Sequence, residues 1–160
     1  MDMPSIQKLS VLTERPLQKV ALLRALNLGD LLCAIPAVRG LRHALPDSHI
    51  TLIGLAWAHV LLQRYLDYFD AFLELPGYPP FPETPFRPRQ FASFIAEAQA
   101  REFDLAVQMH GDGRHSNDLI RMLGARHTAG FFLRGAPCPD ERRYMPYPNE
   151  LPEPRKWLEL

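Results

Sequence analysis

Five short apolar segments alternate with segments of helical periodicity, and this alternation limits the fold more than any other feature of the sequence. The segments predicted as strands are 19–24, 50–54, 71–74, 104–109 and 127–132. Between two of them the apolar side chains recur at helical spacing, at Phe91, Phe94, Ile95 and Ala98. Strands that alternate with helices through short links form a parallel sheet with right-handed crossovers. The sequence therefore predicts an α/β, Rossmann-like domain with helices on both faces of the sheet.

Local signals set the expected limits of the helices. Asp30 stands in an N-cap position before the first helix. Pro36 either kinks that helix in its early turns or marks the start of its regular part. Gly124 is placed to cap a helix over 114–123. A further helix is indicated by apolar side chains at Val60, Leu61, Tyr65 and Leu66. Two proline-rich stretches, 76–88 and 137–154, show neither the helical pattern nor the alternating pattern of a strand and are predicted to be loops.

Composition excludes several classes of protein. The chain has 160 residues, enough for one domain, and its 18 Lys+Arg balance 18 Asp+Glu. This balance lacks the positive charge of a general nucleic-acid binder, so no nucleic-acid partner is expected. Residues 1–4 lack the basic and apolar regions of a secretory signal, and no apolar run is as long as a membrane span, so we expect a cytoplasmic protein. Cys33 and Cys138 have no metal-ligand spacing, so no metal site is expected, and Cys33 reads as a small core residue.

Two loops are candidates for the functional site. Ligands of open α/β sheets bind beyond the carboxyl ends of the strands, where the strand order reverses. That rule selects 25–30, after the first strand, and 110–114, after the fourth. Gly29 is the only glycine of the first loop, and Asp30 would repel a phosphate from the helix start, which disfavours a nucleotide-dependent oxidoreductase. Asp30 is then either a helix cap or a general base at the mouth of the sheet.

Two groups of motifs lie within residues 19–132. The first group is Val20-Ala-Leu-Leu-Arg24, Leu28-Gly29-Asp30, Pro36-Ala37, Leu41-Arg42, Pro46 and Ile50-Thr-Leu-Ile53. The second group is Phe103-Asp104-Leu105, His110-Gly111, Leu123-Gly124-Ala125-Arg126 and Gly130-Phe131. In order and spacing, these motifs resemble glycosyltransferase family 9, the lipopolysaccharide heptosyltransferases and their relatives, and the resemblance covers residues 19–132.

This resemblance implies the amino-terminal half of a GT-B glycosyltransferase. It implies a Rossmann-like, acceptor-side domain over 1–150 and the start of an interdomain linker or helix over 151–160, with the donor-binding domain absent. The implied reaction is an inverting, metal-independent transfer of heptose or a related sugar from a nucleotide-sugar to a lipopolysaccharide-type or other saccharide acceptor. Asp30 would be the base that deprotonates the acceptor hydroxyl. No cofactor is implied, because the nucleotide-sugar is a co-substrate held mainly by the absent domain.

Several residues are candidates for binding the acceptor. They are Asn27 and Gly29 in the first loop, His110, Asp112 and Arg114 in the second, and Arg87 and Arg89 in the first proline-rich stretch. Many family members read Asp-Leu-Gln-Gly where this chain has Gln108-Met109-His110-Gly111, which makes His110 and Asp112 competing acid/base candidates. The two arginines could meet anionic groups of a lipid-linked acceptor, with peripheral contact to the inner membrane.

Other polar and aromatic side chains have two possible roles. Ser116 and Asn117 either bind acceptor hydroxyls or cap a helix. Arg24 either anchors its loop or touches ligand. Three aromatic residues either line a sugar or cover the core: Tyr78, Phe81 and Phe86. On the family interpretation we expect the 160 residues to fold without transferring sugar by themselves. The alternative is a stand-alone Rossmann-like module that binds a ligand without catalysis.

Overall fold

Strands and helices alternate along the described part of the chain. The computed structural model describes residues 15–65 and 67–160, so the features predicted at residues 1–4 and at Leu66 lie outside the described residues. The strands are β1 Lys19–Leu23, β2 His49–Gly54, β3 Ala71–Glu74, β4 Leu105–Gln108, β5 His127–Phe132 and β6 Tyr144–Pro146. The helices are α1 Leu28–Ala44, α2 Ala58–Leu62, α3 Pro88–Ala100, α4 Ser116–Met122 and α5 Glu153–Leu158.

The described strands form one sheet in the order β3-β2-β1-β4-β5-β6. Every neighbouring pair is parallel, and the central register places Leu22 of β1 between Leu52 of β2 and Val107 of β4. The chain first builds the sheet outward from β1 through β2 and β3, then continues on the other side of β1 from β4 to β6. The strand order therefore reverses between β1 and β4, and the predicted Rossmann-like fold is confirmed.

The residues of β1 alternate between two apolar clusters, one on each face of the sheet. Val20 and Leu22 belong to the cluster that includes side chains of α1, α2 and α5. Ala21 and Leu23 belong to the cluster that includes side chains of α3 and α4. All four residues are at most 1% exposed, which explains why this strand reads as a continuous apolar run. The predicted placement of helices on both faces is confirmed.

The first helix differs from its prediction at the N-cap and agrees with one of the two alternatives for Pro36. It begins at Leu28 with Asn27 as N-cap, so the placement of Asp30 at the N-cap is wrong, and Asp30 is the third residue of the helix. An acidic residue is favourable in the whole first turn because the free N–H groups there carry the positive end of the helix dipole. Pro36 lies inside the helix and does not start it. It is exposed, so water can satisfy the carbonyl that lacks an N–H partner.

The second proline-rich stretch is not entirely a loop. Tyr144–Pro146 forms β6, which pairs with β5 at the edge of the sheet. A proline is tolerated there because an edge strand has one side without a pairing partner. The strand has three residues, which is too short for an alternating pattern to show in the sequence.

The last helix packs against the first. Trp157 of α5 is 2% exposed and belongs to the same apolar cluster as the buried side chains of α1.

Gly124 follows α4 with a φ of 70°, so the predicted glycine cap is confirmed. No helix within the described ranges is long and apolar enough to cross a membrane.

Candidate functional site

The loops that follow β1 and β4 lie side by side at the point where the strand order reverses. The main-chain N–H of Ala25 donates a hydrogen bond to Nδ1 of His110, at 3.3 Å. The main-chain N–H of Met109 also bonds to the carbonyl of Leu23. The two loops that the sequence selects therefore meet at one edge of the sheet.

Asp30 lies at this edge with a carboxylate that is available for chemistry. The residue is partly exposed, and its neighbours Asn27 and Gly29 are exposed. Asn27 makes no side-chain capping bond to the helix. A side chain added at Gly29 would meet nothing within 4 Å, so the space beside the first turn is open. Within the described residues, no donor or basic side chain forms a hydrogen bond or an ion pair with the Asp30 carboxylate.

His110 is buried and neutral at physiological pH. The residue is 9% exposed, and its ring stacks on that of Phe81 with centroids 4.0 Å apart. Burial, together with the smaller effect of the positive charge of Arg24, lowers the pKa of His110 to about 4. Since Nδ1 accepts a bond from the main chain, the neutral ring carries its proton on Nε2. His110 can therefore donate a hydrogen bond, but it does not store a proton for transfer at pH 7.

Asp112 and Arg114 bind each other within the β4–α4 loop. Oδ1 of Asp112 accepts the main-chain N–H of Arg114 at 3.0 Å, and Oδ2 lies 3.3 Å from Nη2 of the same residue. This local pairing leaves most of the Arg114 side chain in solvent, where it is 59% exposed. Arg114 can reach a ligand, whereas Asp112 is a weaker candidate for acid/base work because both oxygens hold the loop.

Ser116 and Asn117 are both buried and bind the protein itself. Ser116 Oγ donates to the carbonyl of His110 at 2.7 Å, and Asn117 Nδ2 donates to the carbonyl of Phe131 at 3.0 Å. Neither side chain caps α4, and both bind main-chain carbonyls within the protein, which is a role that the sequence did not predict. Gln108 joins them, because its amide donates to Phe131 and accepts the N–H of His110. Its role was not predicted, since nothing in the local sequence shows which distant carbonyl it meets.

The loop between β3 and α3 contacts this site through an aromatic residue, Phe81, which stacks on His110. Tyr78 and Phe81 are buried in the cluster beneath α3, so they cover the core instead of presenting an open platform for a sugar. Phe86 is 42% exposed and is the member of the three that remains accessible. The stacking of Phe81 on His110 fixes this loop against the end of β4.

Arg87 and Arg89 lie elsewhere. Both are exposed, and both line a hollow of about 490 Å³ between the end of β3 and the start of α3. No residue of the two site loops lines this hollow. The structure therefore does not bring these arginines together with Asp30, and a contact of theirs with the acceptor would have to be made away from the reacting hydroxyl.

Arg24 anchors the site from within. Its guanidinium is buried and donates to the main-chain carbonyls of Asp30 and Met109. It also lies over the ring of Trp157 and 3.8 Å from Glu153 Oε2. Of its two sequence roles, the structure shows the anchor. The partners on α5 could not be predicted, since they lie about 130 positions later in the chain.

The described part of the chain contains no cluster of three His, Cys, Asp or Glu side chains able to hold a metal ion. Cys33 is partly exposed, so its prediction as a buried core residue is wrong. The predicted site residues thus fall into two places: the loops at the strand reversal, and the hollow beside β3.

Comparison with known proteins finds likeness in structure alone. No protein-family model and no curated protein matches the sequence. A family 9 glycosyltransferase from Veillonella parvula aligns over 92% of this chain and 41% of its own, with a TM-score of 0.68 and 18% identity. E. coli heptosyltransferase WaaC with ADP aligns over 89% of this chain and 46% of its own, with a TM-score of 0.64 and 14% identity. The same enzyme with ADP-2-deoxy-2-fluoro heptose gives a TM-score of 0.62 at 12% identity.

The chain spans less than half the length of these solved structures and matches their amino-terminal part. At these identities the likeness shows the fold. The fold that the family resemblance implies is therefore confirmed.

Proposed function

We propose that the chain is the acceptor-side domain of a glycosyltransferase that moves heptose or a related sugar from a nucleotide-sugar to a saccharide or lipid-linked acceptor. The observation that carries the proposal is the carboxylate of Asp30. It stands unpaired, among the described residues, at the strand reversal of a fold shared with family 9 glycosyltransferases. A free carboxylate at that place can accept a proton from a bound hydroxyl.

The proposed chemistry is a single displacement with inversion. Asp30 takes the proton of the acceptor hydroxyl while the oxygen attacks the anomeric carbon from the face opposite the departing nucleotide. The bond between oxygen and the anomeric carbon forms as the bond to the diphosphate breaks. The nucleotide leaves with the electron pair, and the proton stays on Asp30. The reaction needs no second protein nucleophile and no metal ligand from this chain.

The residues around Asp30 suit an acceptor rich in hydroxyl groups. Asn27 and Gly29 leave the first turn of α1 open, and Asn27 offers an amide that the helix does not use. His110 supplies a fixed Nε2–H donor, and Arg114 a solvent-exposed cation. Asp112 acts on the acceptor indirectly, by holding Arg114. These groups favour a saccharide with an anionic substituent.

The hollow beside β3 gives Arg87 and Arg89 a separate role in this proposal. They would contact anionic groups of a lipid-linked acceptor at a distance from the reacting hydroxyl, with the protein at the periphery of the inner membrane. The two arginines are exposed, and Glu74 and Glu97 also line the hollow. Their charge therefore acts in the presence of opposing charge, and we assign them a smaller effect than Asp30.

The donor is proposed to be a nucleotide-sugar bound mainly by a second domain. The solved E. coli heptosyltransferase holds ADP or an ADP-sugar analogue, and this chain covers 46% of its length. On this proposal the 160 residues bind the acceptor but do not transfer sugar by themselves.

Two measurements test the proposal. The full-length protein is incubated with a panel of nucleotide-sugars and a lipid-linked core saccharide, and the anomeric configuration of the product is read by NMR. We expect transfer with inversion from an ADP-activated heptose or a related donor. The second measurement adds the saccharide to the labelled 160-residue chain, where the amide signals of Asn27 and Gly29 should shift. Saccharide binding without transfer by the full-length protein would instead support the binding module. If neither binding nor transfer is observed, the proposed saccharide site is rejected.

A further inference from the structure

Arg24 connects the first turn of α1 to the end of β4. It directly follows β1, and its side chain is 1% exposed. Nε and Nη2 donate to the carbonyl oxygen of Asp30 at 3.0 and 2.7 Å. Nη1 donates to the carbonyl oxygen of Met109 at 2.5 Å. Because the guanidinium is a planar fork, these bonds fix the relative positions of the two carbonyls as no flexible ammonium could.

The helix α5 holds the guanidinium from the other side. The guanidinium carbon lies 4.2 Å from the centre of the Trp157 ring, and Nη2 lies 3.8 Å from Oε2 of Glu153. Glu153 is itself held by Lys156 and by the indole N–H of Trp157. Burial lowers the pKa of Arg24 while the acidic neighbours raise it, and an arginine remains charged in proteins. The ring and the carboxylate therefore stabilise a buried positive charge.

The hydrogen bonds of Arg24 reach the main chain of Asp30 and not its carboxylate. An ion pair with the carboxylate would occupy the oxygens that an acceptor hydroxyl needs. A bond to the carbonyl fixes the residue and leaves the carboxylate free, as it is among the described residues. This distinguishes Arg24 from Arg42 at the other end of α1, whose guanidinium pairs with the carboxylate of Asp70 as well as with carbonyls.

We infer that Arg24, clamped by Trp157 and Glu153, is a positioning residue that fixes the place of the Asp30 carboxylate through the main chain of the first turn of α1. The inference rests on the proposed function for its catalytic consequence, but its structural content can be tested without any activity. It also connects α5 to the site, because displacement of α5 would release the guanidinium that holds the turn.

The first test compares arginines at the two ends of the same helix. Arg24→Gln is expected to speed hydrogen exchange at the amides of Leu31 to Ala34 at least tenfold, with little change at the last turn. Arg42→Gln is the matched control, since Arg42 binds the carbonyls of Ser48 and Tyr68 beyond the carboxyl end of α1. It should speed exchange near residue 45 and leave the first turn unchanged. Equal exchange at the first turn in Arg24→Gln and the unsubstituted chain would overturn the inference.

A second variant covers the case in which Arg24→Gln does not fold. Arg24→Lys keeps the charge but lacks the fork, so a threefold or larger increase in first-turn exchange is expected, and no increase would overturn the inference. In the full-length protein the same lysine variant should lower kcat by about 100-fold, with KM for donor and acceptor changed less than threefold, because a small misplacement of a reacting group has this effect. A change in KM with unchanged kcat would contradict positioning.

The two arms separate the inference from the proposed function. Increased first-turn exchange in the Arg24 variants, together with no transfer by the unsubstituted full-length protein, would support the positioning role of Arg24 and reject the transferase. Transfer by the unsubstituted protein, with unchanged exchange and unchanged kcat in Arg24→Lys, would support the transferase and reject the positioning role of Arg24.

Discussion

At the scale of single residues, burial decides what a side chain can do. His110 and Asp30 lie in adjacent loops at one edge of the sheet, yet one is buried and neutral and the other partly exposed and unpaired in the described structure. The sequence named both as acid/base candidates. It could not rank them, because the ring of Phe81 that covers His110 comes from a loop 29 positions earlier.

The neutral state of His110 predicts a specific dependence of stability on pH. Its pKa in the folded chain, about 4, lies below the ordinary value of 6.5, so the unfolded chain binds the proton more readily. The contribution of neutral His110 to the free energy of unfolding is fully present above pH 6.5 and is lost as the pH falls towards 4. Between pH 7 and pH 5 the free energy of unfolding should fall by about 2 kcal/mol more in the unsubstituted chain than in His110→Gln. Urea unfolding at several pH values measures the difference.

The exposed His43 supplies the control. His43→Gln should follow the pH dependence of the unsubstituted chain. His127, whose pKa is also lowered, is present in all three proteins and cancels in the comparison. Parallel pH profiles for the unsubstituted chain and His110→Gln would show that His110 is not held neutral.

Two glycines of the β4–α4 loop form a second matched pair. Gly111 and Gly113 both have positive φ, 67° and 82°, but a side chain would meet open space only at Gly111. At Gly113 a Cβ would lie 2.2 Å from the carbonyl oxygen of Phe131 and 2.3 Å from Asn117 Nδ2. Gly111→Ala should cost roughly 1–2 kcal/mol of unfolding free energy for its backbone alone. Gly113→Ala should cost at least about 1 kcal/mol more. Equal urea midpoints for the two variants would contradict this packing.

At the scale of elements, the predictions from the sequence succeed where a pattern is long and local. The strands 71–74 and 127–132 have the predicted bounds, and the stripe of apolar residues on α3 faces the core. The predictions fail where tertiary contacts decide. The short strand β6 exists because β5 offers a free edge. The sequence left two alternatives for Pro36, and α1 passes through it because packing on both sides of that residue holds the helix.

The attachment of α5 is a property of elements that can be measured. Trp157 is 2% exposed, with its ring 5.6 Å from that of Phe131, whereas the adjacent Leu158 is 58% exposed. Trp157→Ala should lower the free energy of unfolding by about 3–5 kcal/mol, the usual effect of removing a buried aromatic residue. Leu158→Ala should change it by less than about 0.5 kcal/mol. Similar losses in the two variants, measured by thermal and urea unfolding, would show that α5 is not docked through Trp157.

At the scale of the whole molecule, the sheet order explains why chemistry collects at one edge. The reversal between β1 and β4 opens a crevice at the carboxyl ends of these strands, and the loops of Asp30 and His110 border it. This much could be predicted from the alternation of elements. The separation of Arg87 and Arg89 from that crevice could not, because it depends on where α3 starts relative to the edge strand β3.

The carboxylate of Asp30 is the group on which the proposed transfer depends, and the most direct test of its role is the transfer rate of Asp30→Asn in the full-length protein. The substitution keeps the shape of the side chain and removes its capacity to take a proton. Asp47→Asn, at an exposed position beyond the opposite end of α1, is the control. We predict that Asp30→Asn lowers kcat at least about 100-fold with saccharide binding retained, and that Asp47→Asn has no effect. Transfer by Asp30→Asn at the unsubstituted rate would contradict the account, since the proton would then leave by another route.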